Sequence, residues 1–123
     1  MDRRRFEDLV SEALESLPPR FAESLSNIDV EVRDWPAAEE MRAAGVPPGS
    51  LLLGLYRGIP QTRRSRWHNM ALPDRIFIYK GPIERVCRSD DEVRERVRRT
   101  VLHEIAHHFG WSDPALAELE ESR

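Results

Sequence analysis

The stretch Thr100-Val-Leu-His103-Glu104-Ile-Ala-His107-His108-Phe-Gly110-Trp-Ser-Asp113, near the C-terminal end, decides how the rest of the chain is read. On a helix advancing about 100° per residue, His103 and His107 stand one turn apart and about 40° out of line. Both imidazoles therefore leave one face and can share a metal ion. Glu104 follows the first histidine directly, too close to join them comfortably as a ligand but well placed to hold a metal-polarised water as a general base. Gly110 supplies the structural turn: it adopts left-handed backbone without a Cβ clash, ends the helix, and lets the reversed chain carry Asp113 back toward the histidines. Three protein ligands and one water make the open arrangement of a catalytic zinc site, whereas a structural site closes all four positions with protein.

Asp113 has a second reading, because Asp113-Pro also starts a helix well, with Asp as N-cap and Pro at the first helical position. The two are compatible, since one carboxylate oxygen can accept a backbone N–H while the other binds metal. Glu118 is the next candidate for the third ligand. His108 lies about 140° round the helix from His103 and is expected in packing or beside the ligands.

At these residues the sequence resembles the zincin metallopeptidases. The form H-E-x-x-H-x-x-G-x-x-D looks like the metzincin spacing with the third histidine replaced by aspartate, as in snapalysin-type enzymes. More closely, the chain resembles the small single-domain bacterial zincin-like metallopeptidase family, in which the motif follows segments similar to Leu51-Leu-Leu-Gly-Leu-Tyr-Arg-Gly-Ile-Pro60 and Pro73-Asp-Arg-Ile-Phe-Ile-Tyr-Lys-Gly-Pro-Ile-Glu84. The resemblance implies an α+β, minimal zincin-like fold in a single domain, 1–123. Its small three- to four-stranded mixed sheet would pack against an N-terminal backing helix and a C-terminal active-site helix. It also implies one zinc ion per chain and a peptide or protein substrate. His68 and Tyr79 become candidates for substrate or transition-state contact, as histidine or tyrosine stabilises the oxyanion in larger zincins.

Outward from the motif, Val93, Val97, Val101, Ile105 and Phe109, joined by Leu102 and Ala106, form an apolar series that anchors the helix and so orients its ligands. Ser89-Asp-Asp-Glu92 is a capping-box signature at its start. Arg94, Arg96, Arg98 and Arg99 read as its solvated face. Cys87, in the preceding connection, reads as a packed thiol rather than a competing ligand. Gly81-Pro82 is expected to turn the chain after a strand at Arg75–Tyr79. The polar connection from Gln61 to Leu72 is expected to rim the cleft.

In the N-terminal half, Phe6, Leu9, Val10, Ala13, Leu14 and Leu17 make one helical stripe from about Arg3, stopped by Pro18-Pro19, and expected to lie across the sheet. Arg3-Arg4-Arg5 reads as a solvated helix end. A short helical turn and a loop follow over 19–26. Ile28-Asp-Val-Glu-Val-Arg33 alternates as a half-buried strand does, and Trp35-Pro36 closes it. Pro36 to Ala44 reads as a short helix ended by Gly45, or equally as an ordered loop. Leu51–Tyr56 is continuously apolar, as in a strand covered on both faces, with Gly54 admitting close approach of another element.

The chain has 123 residues and a net charge of −3, from 22 acids against 19 bases, so neither a nucleic acid nor an anionic membrane is the expected partner. Its single cysteine, Cys87, cannot form an internal disulfide. No apolar run has the length of an export signal or of a membrane span of about 20 residues. A cytoplasmic protein is the expectation.

Together these features lead to metal-assisted amide hydrolysis with Glu104 as base. Ten residues follow Asp113 and none is methionine, so a methionine turn and a second wall to the cleft are not expected. Aspartate in place of a neutral histidine weakens the metal as a Lewis acid, and slow or narrowly specific cleavage follows. Two other classes compete: a non-catalytic zinc-binding or protein-interaction module, and a zinc hydrolase of another bond such as RNA. The single-domain rRNA-maturation zinc proteins have a similar H-x-x-x-H-x-x-G spacing, but lack the glutamate and end in a further histidine.

Overall fold

The structure, a computed structural model, describes residues 1–19, 21, 25, 28–58 and 74–108, with backbone alone for His107 and His108. Helix α1 (Arg3–Glu15) starts where the Asp2 carboxylate accepts from the Arg5 N–H at 2.8 Å. It turns Phe6, Leu9, Val10 and Ala13 inward. Ser16 follows the helix, its hydroxyl donating to the Ala13 carbonyl at 2.7 Å, and Pro18 cannot continue it.

Strand β1 (Ile28–Arg33) leads to α2 (Ala38–Ala43), which Gly45 ends at φ +71°, a conformation that favours glycine. Strands β2 (Gly54–Arg57) and β3 (Asp74–Tyr79) complete a mixed sheet of order β1-β3-β2. β3 pairs parallel with β1 and antiparallel with β2, in register Tyr56 to Ile76 and Gly54 to Ile78. A parallel pair needs a long crossover, so α2 and β2 lie between β1 and β3 in the chain.

The strand buried on both faces is therefore β3, and the sequence expectation for Leu51–Tyr56 is corrected. The β2 ladder begins only at Gly54, and Leu51 is 40% exposed. The physical reason is position: among the described residues β2 ends the sheet, and the leucines before it precede the ladder, so Leu51 is not packed between layers as a central strand would be. A bond of 3.0 Å from the Tyr79 N–H to the Leu53 carbonyl still ties this lead-in to β3.

Gly81-Pro82 is a second correction. It lies within α3 (Lys80–Val86) and does not turn the chain away. Proline in a first helical turn forfeits no intrahelical hydrogen bond, and the Gly81 N–H donates to the Asp34 carbonyl at 2.8 Å. A side chain at Gly81 would collide with the Trp35 indole packed there.

Helix α4 (Asp90–His108) begins as its capping box predicts. The Glu92 N–H donates to the Ser89 hydroxyl at 3.2 Å, and the Glu92 carboxylate reaches back one residue further, to the Arg88 N–H. Val93, Val97, Val101, Leu102, Ile105 and Ala106 are buried as the periodicity requires. α1 shares this core mainly with α4, and Val32, Ile76 and Ile78 of the sheet join it. Arg5–Asp90 (2.7 Å) and Arg94–Glu12 (3.1 Å) bridge the two helices at the surface.

Arg98 departs from the solvated face expected of it. It is 3% exposed, because its stem follows Val97 into the apolar stripe, and its guanidinium stays near Glu95 at 3.3 Å. Among the described residues no helix is long and apolar enough to cross a membrane.

Candidate active site

Side chains alternate along β3. Ile76 and Ile78 face α1 and α4, while Arg75, Phe77 and Tyr79 project from the other side of the sheet. Tyr56 pairs with Ile76 and packs against the same helical core. This alternation sorts the residues selected from the sequence.

His103 is exposed and Glu104 half-buried on α4. Both line a cleft of about 320 Å³ whose other wall is Leu52, Leu53 and Gly54. The Tyr56 N–H donates to Glu104 Oε1 at 2.8 Å, so strand β2 fixes the carboxylate that the motif supplies. Gly54 makes the approach possible: a Cβ there would lie 2.5 Å from Thr100 Cγ2 and 3.0 Å from the Phe77 carbonyl oxygen. The expectation of a close approach at this glycine is met by α4 itself.

Tyr56 and Asp74 were not singled out in the sequence. The Tyr56 hydroxyl donates to the carboxylate of Asp74, which is 6% exposed at the start of β3. The usable signal was the two-residue period, since Tyr56 follows Gly54 by two and both must share the face that meets α4.

Tyr79 is not brought to the cleft. It is fully buried on the face of the sheet opposite the cleft. Its hydroxyl faces the Glu40 carboxylate without a well-formed hydrogen bond, and burial, reinforced by Glu40, pushes it well above the ordinary phenol range. For Glu40, burial alone would raise the carboxyl, but the Ala37 N–H at 2.8 Å, Tyr79 and Arg33 outweigh it and hold it below the ordinary carboxylate value. Arg33 completes this far side by stacking on Phe77 at 4.0 Å.

Cys87 precedes α4, and thirteen helical residues, roughly 20 Å, separate the helix start from His103. Burial raises its thiol, which suits the packed reading. His68, Gly110, Asp113 and Glu118 lie outside the described residues, as do the side chains of His107 and His108. Among the described residues no three potential ligand side chains converge. The donor chemistry that is placed fits a metal: an exposed imidazole opens onto the cleft beside a fixed carboxylate, and His107 occupies the next turn of the same helix. A second cleft, of about 590 Å³ beside Trp35, Lys80 and Glu84, is lined by none of the motif residues among those described.

No curated protein matches the chain. The conserved hypothetical protein TTHA0227 from Thermo thermophilus has a similar fold, with a TM-score of 0.57 and 23% identity over 89% of this chain and 94% of its own. Residues 25–123 match the family described as zincin-like metallopeptidase. With that match spanning most of its length and the motif glutamate fixed at the cleft, the chain belongs to the zincin-like metallopeptidase family.

Proposed function

We propose that this protein is a zinc-dependent peptidase that hydrolyses peptide bonds with Glu104 as general base. The observation that carries the reading is the seat of Glu104: it lines the cleft beside exposed His103, with one oxygen tied to the Tyr56 N–H. His103, His107 and Asp113 would hold the ion. Zinc bound there would supply the Lewis acidity that activates a water and polarises the scissile carbonyl. Glu104 takes the proton from that water and delivers it to the departing amine nitrogen. The hydrogen bond from β2 keeps the carboxylate from turning away between these transfers.

The test is chelator-sensitive cleavage of mixed peptides, with an RNA control, comparing wild type with Glu104→Ala and measuring zinc in both. Expected are cleavage by wild type only and equal zinc content. Equal cleavage by the two proteins removes Glu104 from the mechanism. Stoichiometric zinc with no cleavage by wild type establishes the non-catalytic module instead. Zinc retained in Asp113→Ala moves the third ligand elsewhere.

A further inference from the structure

Beyond His103 and Glu104 the cleft runs toward the N-terminal end of α4 and is lined there by Thr100, Arg99 and Arg96. Residues three and four apart share a helical face, so these side chains and His103 border one channel. Across from them stand Leu52, Leu53 and Gly54, which bring no negative charge. Among the described residues the carboxylate within this cleft is that of Glu104, at the far end and bonded to the Tyr56 N–H. Two basic residues thus line the channel one to two helical turns from the hydrolytic end.

Arg99 pairs with Glu95 at 3.0 Å, and the two side chains are 47% and 30% exposed. Such a solvated pair contributes little and exchanges readily for another carboxylate. Arg96 is half-buried, and its carbonyl is capped by the Thr100 hydroxyl at 2.7 Å, which steadies the helix between the arginines and the motif. Arg96 and Arg99 also line an adjoining cleft of about 230 Å³ with Cys87, Glu92 and Glu95, where the Arg96 guanidinium lies beside the Cys87 thiol; seating a carboxylate in the channel requires both arginines to swing from these neighbours. A planar guanidinium matches a carboxylate in two parallel hydrogen bonds, and the leucine wall reduces competition from water.

Resting on the peptidase reading above, we infer that the cleft selects peptides by a carboxylate seated against Arg96 and Arg99. The helix rise places the Cα atoms of Arg99 and Arg96 about 6 and 10 Å from that of His103. An extended peptide advances about 3.3 Å per residue, so the favoured carboxylate lies two or three residues from the cleaved bond. It belongs to an Asp or Glu side chain or to a free C-terminus within that reach.

The experiment uses the zinc-loaded protein and peptides with one Glu moved stepwise on either side of the scissile bond, matched by Gln peptides. Each is made with a free and with an amidated C-terminus. Expected is a kcat/KM roughly tenfold higher for the acidic member at the favoured spacing, expressed through KM and eroded by salt. Selectivity confined to the free-acid peptides assigns the carboxylate to the C-terminus, and persistence on amidation assigns it to the side chain. Arg96→Gln with Arg99→Gln should bring the ratio near one, whereas Arg96→Lys with Arg99→Lys retains part of it. Cleavage that ignores the acid, or selectivity that survives the double Gln change, overturns the inference and leaves the peptidase reading standing.

Binding of the labelled Glu and Gln peptides to Glu104→Gln, read by fluorescence anisotropy, separates the two ideas. Arginine-dependent preference for the Glu peptide supports the site even where no preparation cleaves, in which case only the peptidase reading fails. Equal binding of both peptides overturns the inference.

Discussion

At the residue scale, Glu104 combines chemistry with a structural bond, because its carboxylate lines the cleft while accepting the Tyr56 N–H at 2.8 Å. Glu104→Gln keeps an oxygen for that N–H but cannot take a proton. Peptide hydrolysis should fall at least a hundredfold with little change in thermal midpoint. Activity within threefold of wild type would exclude the base role. Glu104→Ala also removes the acceptor and should cost about 1–3 kcal/mol in urea unfolding. Tyr79 makes a contrasting case on the far face. Its folded pKa is raised, so its contribution is complete below its ordinary value of about 10.0 and fades as pH rises above that. The Glu40 carboxyl is held low, so its contribution is present above about 4.5 and fades as pH falls below it. Tyr79→Phe, which deletes a buried hydroxyl without a well-formed bond, should leave zinc-dependent activity intact and flatten the alkaline loss of stability. A large loss of kcat in that variant would return Tyr79 to the mechanism.

At the scale of elements, the site depends on how closely β2 lies on α4. Gly54→Ala puts a methyl 2.5 Å from Thr100 Cγ2, and the neighbouring Phe77 carbonyl at 3.0 Å leaves little room to shift. The strand and helix must separate, at a cost of about 1–3 kcal/mol. The Tyr56–Glu104 bond then lengthens, so activity should fall by about tenfold or more, beyond what lost folding explains. Adding Thr100→Ser removes the obstructing methyl and keeps the hydroxyl that caps Arg96. Partial recovery of both quantities is the expected outcome, and additive damage would show that the contact does not set the spacing. The capping box at Ser89 and Glu92 and the apolar series of α4 were readable beforehand because both are local, three- and four-residue regularities. The extent of β2 was not, since a run of leucines looks the same in a central strand and in the approach to an edge.

For the whole molecule, α1 and α4 cover one face of the sheet through a core that includes Phe6, Leu9, Ile76, Ile78 and Ile105, all fully buried. Phe6 lies far along the chain from the motif yet supports the helix that carries it. Phe6→Ala should destabilise by about 3–5 kcal/mol, with loss of zinc-dependent activity following the unfolded fraction. Full activity in the folded remainder is expected, and a lower kcat per folded molecule would point to a direct effect on the site. Zinc that binds only the folded protein raises its stability by mass action, about 2.7 kcal/mol at a hundredfold excess over Kd. A chelator should therefore lower the melting midpoint of wild type but not of His103→Ala, and equal shifts in both would argue against ligation by His103.

The sequence by itself determined the helix that bears His103, Glu104 and His107, the apolar stripe that anchors it, the strand at 75–79 and the α+β class. The helix and its stripe follow from the 3.6-residue period, the H-E-x-x-H spacing places its residues on that helix, and the α+β class came from the resemblance that the motif carries. Only the tertiary structure decided that Tyr79 belongs to the far face, that Arg98 is buried, that Gly81-Pro82 continues into a helix, and that Tyr56 holds Glu104. The last of these joins residues 48 apart in the chain. Which face of a strand meets which helix depends on sheet order and on one glycine contact, and no local pattern of residues encodes either.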